Sequence, residues 1–144
     1  TRVREHPDAD RLYVLDLDVG ELGARRIVAG IRPWYDSGKL EGRRIVVVVN
    51  LKPAVIRGVR SQGMLLAADD GEPSLLIAHG KPGGRVVPAG MKQVATDEVD
   101  ITMLGELLLE INKDGVAVCC GRELRDEQDA ICPDRDVDAG TPIH

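Results

Sequence analysis

The segment Asn50-Leu-Lys-Pro-Ala-Val-Ile-Arg-Gly-Val-Arg-Ser-Gln-Gly-Met64 gathers residue types that can grip a polyanion. Lys52, Arg57 and Arg60 carry charge for phosphates, and Asn50, Ser61 and Gln62 add neutral donors of the kind that position a nucleic-acid backbone. Gly58 and Gly63 permit tight geometry where such a backbone approaches. Pro53 fixes a turn and removes a ladder donor. The competing reading is a structural loop, in which Asn50 and Ser61 bond the chain's own backbone and Leu51, Gly58, Gly63 and Met64 serve packing. Two basic pairs, Arg25-Arg26 and Arg43-Arg44, stand at strand starts. Alternation lets one of each pair reach a shared face; a solvated surface is the alternative.

Other constellations carry less. His6-Pro7-Asp8-Ala9-Asp10 has metal-binding residue types, but a hard-cation loop needs about six oxygens at longer spacing, so a turn is the better reading. Gly80-Lys81-Pro82-Gly83-Gly84 lacks the phosphate-loop pattern and reads as a connector. No nucleophile elbow is present, and His6, His79 and His144 sit in no catalytic arrangement. The reading is therefore a non-enzyme without cofactor or metal. Cys119, Cys120 and Cys132 form no C-x-x-C pair, and an odd count makes a poor disulfide framework. Buried free thiols suit a reducing, cytoplasmic setting.

Charge and aromatics set the binding physics. The chain of 144 residues has a formal net charge of −5. Residues 1–68 hold 12 basic and 8 acidic side chains, residues 69–95 hold 3 of each, and residues 96–144 hold 4 and 13. An N-terminal part at +4 is thus averaged with a C-terminal part at −9, an asymmetry that implies two functional regions. Tyr13, Trp34 and Tyr35 are the only aromatics. Base stacking cannot be the main term for a nucleic-acid ligand, and phosphate contact must dominate. Trp34 is the one stacking candidate, though a core or interface role is the favoured reading.

The elements that would position these residues are short strands. Leu15, Leu17 and Val19 alternate with Asp16 and Asp18, and Arg25 to Ala29 follows as a second strand. A short irregular or helical connection over 34–40 leads to the β-branched run Ile45 to Val49, a buried strand. Met64–Ala68 and Ser74–Ala78 are further strands. Spacing of about 10–15 residues with Gly/Pro turns favours a small barrel or sandwich. In the C-terminal third, Leu104, Leu107, Leu108 and Ile111 follow helical spacing and predict an amphipathic helix over about 101–111. Val116–Cys120 and Ala130–Cys132 read as strands, and residues 80–90 as the joint.

The Asn50–Met64 segment, running into Leu65-Leu66-Ala67-Ala68, resembles the tRNA-binding domain family, which has an oligonucleotide-binding (OB) fold. His6-Pro7-Asp8-Ala9-Asp10-Arg11-Leu12-Tyr13, Asp18-Val19-Gly20 and Ile27-Val28-Ala29-Gly30-Ile31 fall in family order, and the resemblance covers about residues 3–90. It implies a mainly β protein, a five-stranded OB barrel over 1–90, with a C-terminal helix and small β extension over 91–144. It further implies non-catalytic, structure-specific tRNA binding that assists an aminoacyl-tRNA synthetase in cis or trans. The implied contacts are Asn50, Lys52, Arg57, Arg60, Ser61, Gln62, Gly63 and Met64, with Arg25, Arg26, Arg43 and Arg44 as a secondary set.

The extension, with Asp114-Gly115-Val116-Ala117-Val118-Cys119-Cys120-Gly121 and Ala139-Gly140-Thr141-Pro142-Ile143, is similar to that of the endothelial monocyte-activating polypeptide group. There the extension packs on the barrel and imitates a second subunit, which implies a monomer. Two departures stand out. The chain opens at Thr1-Arg2-Val3, where the family's first strand carries Arg-Val-Gly, so most of that strand is expected to be missing and the chain reads as a fragment of a longer protein. The extension is also more acidic than in the eukaryotic relatives. The alternative function is a peptide-holding or synthetase-docking module of the same fold.

Overall fold

The computed structural model describes residues 2–7, 9–89 and 108–144. The chain is mainly β. Three antiparallel strands, β1 (Arg2–Glu5), β2 (Tyr13–Asp18) and β3 (Ala24–Ala29), form a meander in the order β1-β2-β3. β1 pairs with β2 over four residues, Arg2 opposite Asp16 through Glu5 opposite Tyr13. A helical turn, α1 (Ser37–Leu40), buries Leu40 in the core and is followed by β4 (Val47–Val48).

Downstream lie β5 (Ala54–Ile56), β6 (Val59–Ser61), β7 (Met64–Leu65), β8 (Ala67–Asp69) and β9 (Pro73–Ile77). The short β10 (Val87–Pro88) precedes a C-terminal set: β11 (Leu109–Ile111), β12 (Ala117–Cys119), β13 (Arg122–Arg125) and β14 (Cys132–Pro133). β10, β13, β12 and β11 make one four-stranded sheet, and β14 pairs with β9.

Two expectations are corrected. The sheets do not close into a five-stranded barrel: the described strands fall into separate ladders. Side chains and short loops bridge between them. The Val3 N–H donates to Glu41 Oε1, and the Gln62 N–H donates to the Arg26 carbonyl at 2.7 Å. The helix expected over 101–111 is absent from the described part of that range, 108–111. Leu109–Ile111 is strand, with Leu109 opposite Cys119 and Ile111 opposite Ala117; positions 101–107 lie outside the described residues. Asn112 explains the difference. Its Oδ1 accepts the N–H groups of Asp114 and Val116, and Gly115 at φ 78 completes a hairpin turn. The Asn/Gly signal that would stop a helix makes a strand reversal instead.

The core is built on both faces of the same strands. Leu65, Ala67 and Leu75 enter one buried cluster with Leu15, Leu17, Ile27 and Leu40. Their neighbours Leu66, Ala68 and Leu76 enter a second with Ile111, Ala117, Leu124, Ile131 and Ile143. Ile45, Val47 and Val49 pack toward the first, Val46 and Val48 toward the second. Burial on both faces explains why these segments read as continuous apolar runs. The β-branched run 45–49 forms less regular ladder than expected. Only Val47–Val48 is strand, and Ile45 makes a single bridge to Ile77.

Candidate nucleic-acid interface

The Asn50–Met64 segment contains a hairpin. β5 and β6 pair with Ala54 opposite Ser61 and Ile56 opposite Val59. The two residues between them, Arg57 at φ 50 and Gly58 at φ 83, are both left-handed. This is a two-residue turn whose twist matches the strands, and glycine at its second position is free of the Cβ clash. The buried His6 holds the hairpin from below: its Nε2 donates to the Ile56 carbonyl at 3.2 Å.

The residues after β6 are fastened to β3. Ser61 is buried, and its hydroxyl accepts the Val28 N–H at 3.0 Å and donates to the Gly63 carbonyl at 3.1 Å. Gln62 Oε1 accepts the Arg26 N–H at 3.0 Å. A Cβ on Gly63 would lie 2.6 Å from the Val48 carbonyl oxygen, so no side chain fits there. Ser61, Gln62 and Gly63 therefore fix the base of the hairpin against β3 and β4.

The cations divide by what holds them. Lys52, Arg57 and Arg60 are exposed and make no hydrogen bond or ion pair among the described residues. Beside Arg60, on the opposing strand, Val55 is 71% exposed. The secondary set is committed elsewhere. Arg26 pairs with Asp16 at 2.9 Å, and Arg4 reaches the same carboxylate at 3.2 Å. Arg26, with Arg4 beside it, holds the Asp16 carboxyl below its ordinary range against the opposing effect of burial. Arg25 donates to the carbonyls of Leu22 and Ala24, Arg43 pairs with Asp134 at 2.8 Å, and Arg44 donates to the carbonyls of His79 and Gly80.

Two acidic residues of the extension prove central, and no local sequence signal marks the first. Asp134 accepts from the Tyr35 hydroxyl at 2.7 Å, from Arg43 at 2.8 Å and from the Ser74 hydroxyl at 2.7 Å. Asp126 accepts the N–H groups of His79, Gly80, Gln128 and Asp129. Burial opposes its ionisation, but these amides outweigh it and hold the carboxyl down to about 2. The neighbouring Glu127 accepts the Lys81 N–H, so the 79–81 connector rests on two carboxylates. The spacing Asp126-Glu-Gln-Asp129 could have announced this turn, since Asp commonly bonds amides two and three residues on.

Trp34 is 39% exposed and stands between two grooves, of about 290 Å³ and about 240 Å³, lining both. Met64 lines the larger. Of the core or interface role expected for Trp34, the core placement is not found. Among the described residues no three His, Cys, Asp or Glu side chains come together as a metal site, and Cys119, Cys120 and Cys132 are free thiols. No described helix is long and apolar enough to cross a membrane.

Residues 1–99 match the family model described as "Putative tRNA binding domain". The chain belongs to this tRNA-binding domain family. A methionine–tRNA ligase of Thermococcus kodakarensis is 49% identical over 79 residues, 55% of this chain and 10% of that protein. A cytoplasmic tyrosine–tRNA ligase of Xenopus tropicalis is 52% identical over 83 residues, 57% of this chain and 16% of that protein. The match thus spans a small fraction of the ligases' length. Among solved structures, the C-terminal domain of Plasmodium vivax p43 has a TM-score of 0.81 at 29% identity, covering 99% of this chain and 90% of that one. The MetRS-related protein from Pyrococcus horikoshii has a TM-score of 0.53 at 36% identity, over 57% of this chain and 78% of that one. The p43 likeness thus extends through the C-terminal residues that the family model leaves out.

Proposed function

We propose that the chain binds folded tRNA without catalysing a reaction, and that it serves an aminoacyl-tRNA synthetase either as an appended domain or as a separate factor. The observation that carries this is the hairpin segment, whose Lys52, Arg57 and Arg60 are all exposed, with side chains unpartnered among the described residues, on a fastened base. Three free cations on a rigid projection suit phosphates at fixed spacing. Shape and backbone readout suits a folded RNA whose sequence varies. Asn50, Gln62, Gly63 and Met64 border this surface. Ser61 acts mainly by holding β3, and Arg25, Arg26, Arg43 and Arg44 form a supporting rim. Family membership and the matched ligases support the same reading.

In this reading residues 1–90 form an OB-type RNA-binding unit and residues 91–144 an extension that takes the place of a second subunit, so the working form is a monomer. Three free thiols fit a cytoplasmic setting.

The test is tRNA binding across salt concentrations. The three counterion-releasing contacts predict a log–log salt slope of about −2 to −3 from these residues. Arg57→Glu weakens tRNA about tenfold, and the triple reversal with Lys52→Glu and Arg60→Glu flattens the slope. Affinity independent of salt, or tighter binding of an unfolded peptide than of tRNA, rejects the assignment.

A further inference from the structure

Trp34 is the exposed aromatic of a chain with three: Tyr13 is 5% exposed, and Tyr35 packs against the core. Its position is rigid. The N–H groups of Trp34 and Tyr35 both donate to the Ile31 carbonyl, at 3.0 and 3.1 Å. The Tyr13 hydroxyl donates to the Tyr35 carbonyl at 2.7 Å, and the Tyr35 side chain is tied to Asp134. The backbone that carries the indole therefore needs little ordering on binding, which favours its use as a contact surface.

The two grooves beside the ring differ in chemistry. The larger has Val28 and Met64 in its wall and Asp69 among its lining. The smaller is lined by Lys39, Arg43 and Arg135 and by the carboxylate residues Glu72 and Asp134. Arg43 is paired with Asp134, whereas the Lys39 ammonium makes no bond among the described residues. One side thus offers a mostly apolar slot, and the other a charged groove in which three cations outnumber two carboxylates and Lys39 has no partner among the described residues. Met64 also closes the segment that carries the hairpin, and Val28 is bonded through its N–H to Ser61. Met64 and Val28 thus link the slot to the segment that carries the proposed phosphate surface.

We propose that Trp34 is the stacking platform for one unpaired nucleobase of the bound RNA, the base lying in the Met64 groove and an adjoining phosphate at Lys39. The proposal rests on the tRNA reading above and adds a contact that charge and shape alone would not make. Folded RNAs present splayed bases at loops and ends, and such bases stack on aromatic faces. One platform among few aromatics leaves phosphate contact dominant while adding an anchor.

As the sole tryptophan, Trp34 reports on itself. End-labelled tRNA is titrated with the intact chain, following anisotropy for binding and Trp34 emission, excited at about 295 nm and corrected for RNA absorbance, for stacking. Quenching should track anisotropy. Trp34→Ala should weaken tRNA about 5- to 150-fold, the span of one stacked base. Trp34→Phe should recover part of the loss, with urea midpoints confirming that both variants fold. Binding with unchanged emission, or undiminished affinity of Trp34→Ala, overturns this inference and leaves the tRNA reading standing. Absence of any anisotropy change with the unmodified chain overturns both. Quenching by an unfolded peptide but not by tRNA reassigns the groove to protein and overturns the proposal.

Discussion

The Tyr35 hydroxyl donates a 2.7 Å hydrogen bond to Asp134 Oδ2 across 99 residues of chain. The same hydroxyl accepts the Leu75 N–H at 3.0 Å, so one oxygen links α1's approach, β9 and the extension. Asp134 in turn binds Arg43 and Ser74. This arrangement ties the acidic part of the chain to the basic part through a specific socket, not through diffuse attraction.

Removing Asp134 takes one acceptor from each of the Tyr35 hydroxyl, the Arg43 guanidinium and the Ser74 hydroxyl. Asp134→Ala should cost about 2–4 kcal/mol, measured by urea unfolding. Tyr35→Phe should cost about 1–3 kcal/mol. The double variant should lose less than the sum, because both changes break one bond. Strict additivity would show that the two side chains do not act as a unit.

Stability should fall at both ends of the pH scale. Burial, assisted by the Asp134 carboxylate and opposed by the Leu75 amide, pushes the Tyr35 phenol up to about 12. The unfolded chain releases that proton near its ordinary pKa of 10, so this contribution is present below about 10 and is lost as pH rises toward 12. Absorbance near 295 nm should show one tyrosine titrating late, together with unfolding. At the acid end, Asp126 is held to about 2. Its contribution is present above the ordinary value of 3.8 and is lost as pH falls through 2. Asp126→Ala should lower stability at neutral pH and flatten the acid slope between those values. An unchanged slope would contradict the role given to its amide partners.

Arg57 occupies a left-handed position that Asn adopts more readily than Arg. Arg57→Asn should therefore raise stability by about 0.5–1 kcal/mol while weakening tRNA. A thermal melt and a binding titration on the same sample check both. Loss of both stability and affinity would mean that the arginine serves the fold.

Gly63→Ala places a methyl group against the Val48 carbonyl. Backbone must shift to admit it, at about 1–3 kcal/mol. Equal stability of this variant and the unmodified chain would show that β4 and β7 have slack that the geometry does not indicate.

What the sequence made legible follows from the range of the interactions. β2 and β3 could be read because Leu15, Leu17 and Ile27 bury one face, and the motifs around Asn50 and His6 identified the family. The hairpin turn was harder to see because Arg57 is not a turn former. The helix over 101–111 misled because Leu108 and Ile111 satisfy helical spacing, while Leu109 and Ile111 also lie on one face of a strand. Pairing with Ala117–Cys119 settled which pattern holds. Charge counts placed the acidity correctly but could not show that Arg43 is neutralised by Asp134, 91 residues away. Partnership at that distance leaves no local pattern, and it is what separates Lys52, Arg57 and Arg60 from Arg43 and Arg44.

The segments over 45–49, 64–69 and 73–77 act as a party wall between two rooms. Leu65 and Leu75 furnish one side, Leu66 and Leu76 the other. Neither room stands without the wall, and the wall has no bare side to spare. Any relative or shortened version of this chain that dispenses with the extension must therefore bring other apolar cover for Val46, Leu66 and Leu76, whether from another protein or from a copy of itself.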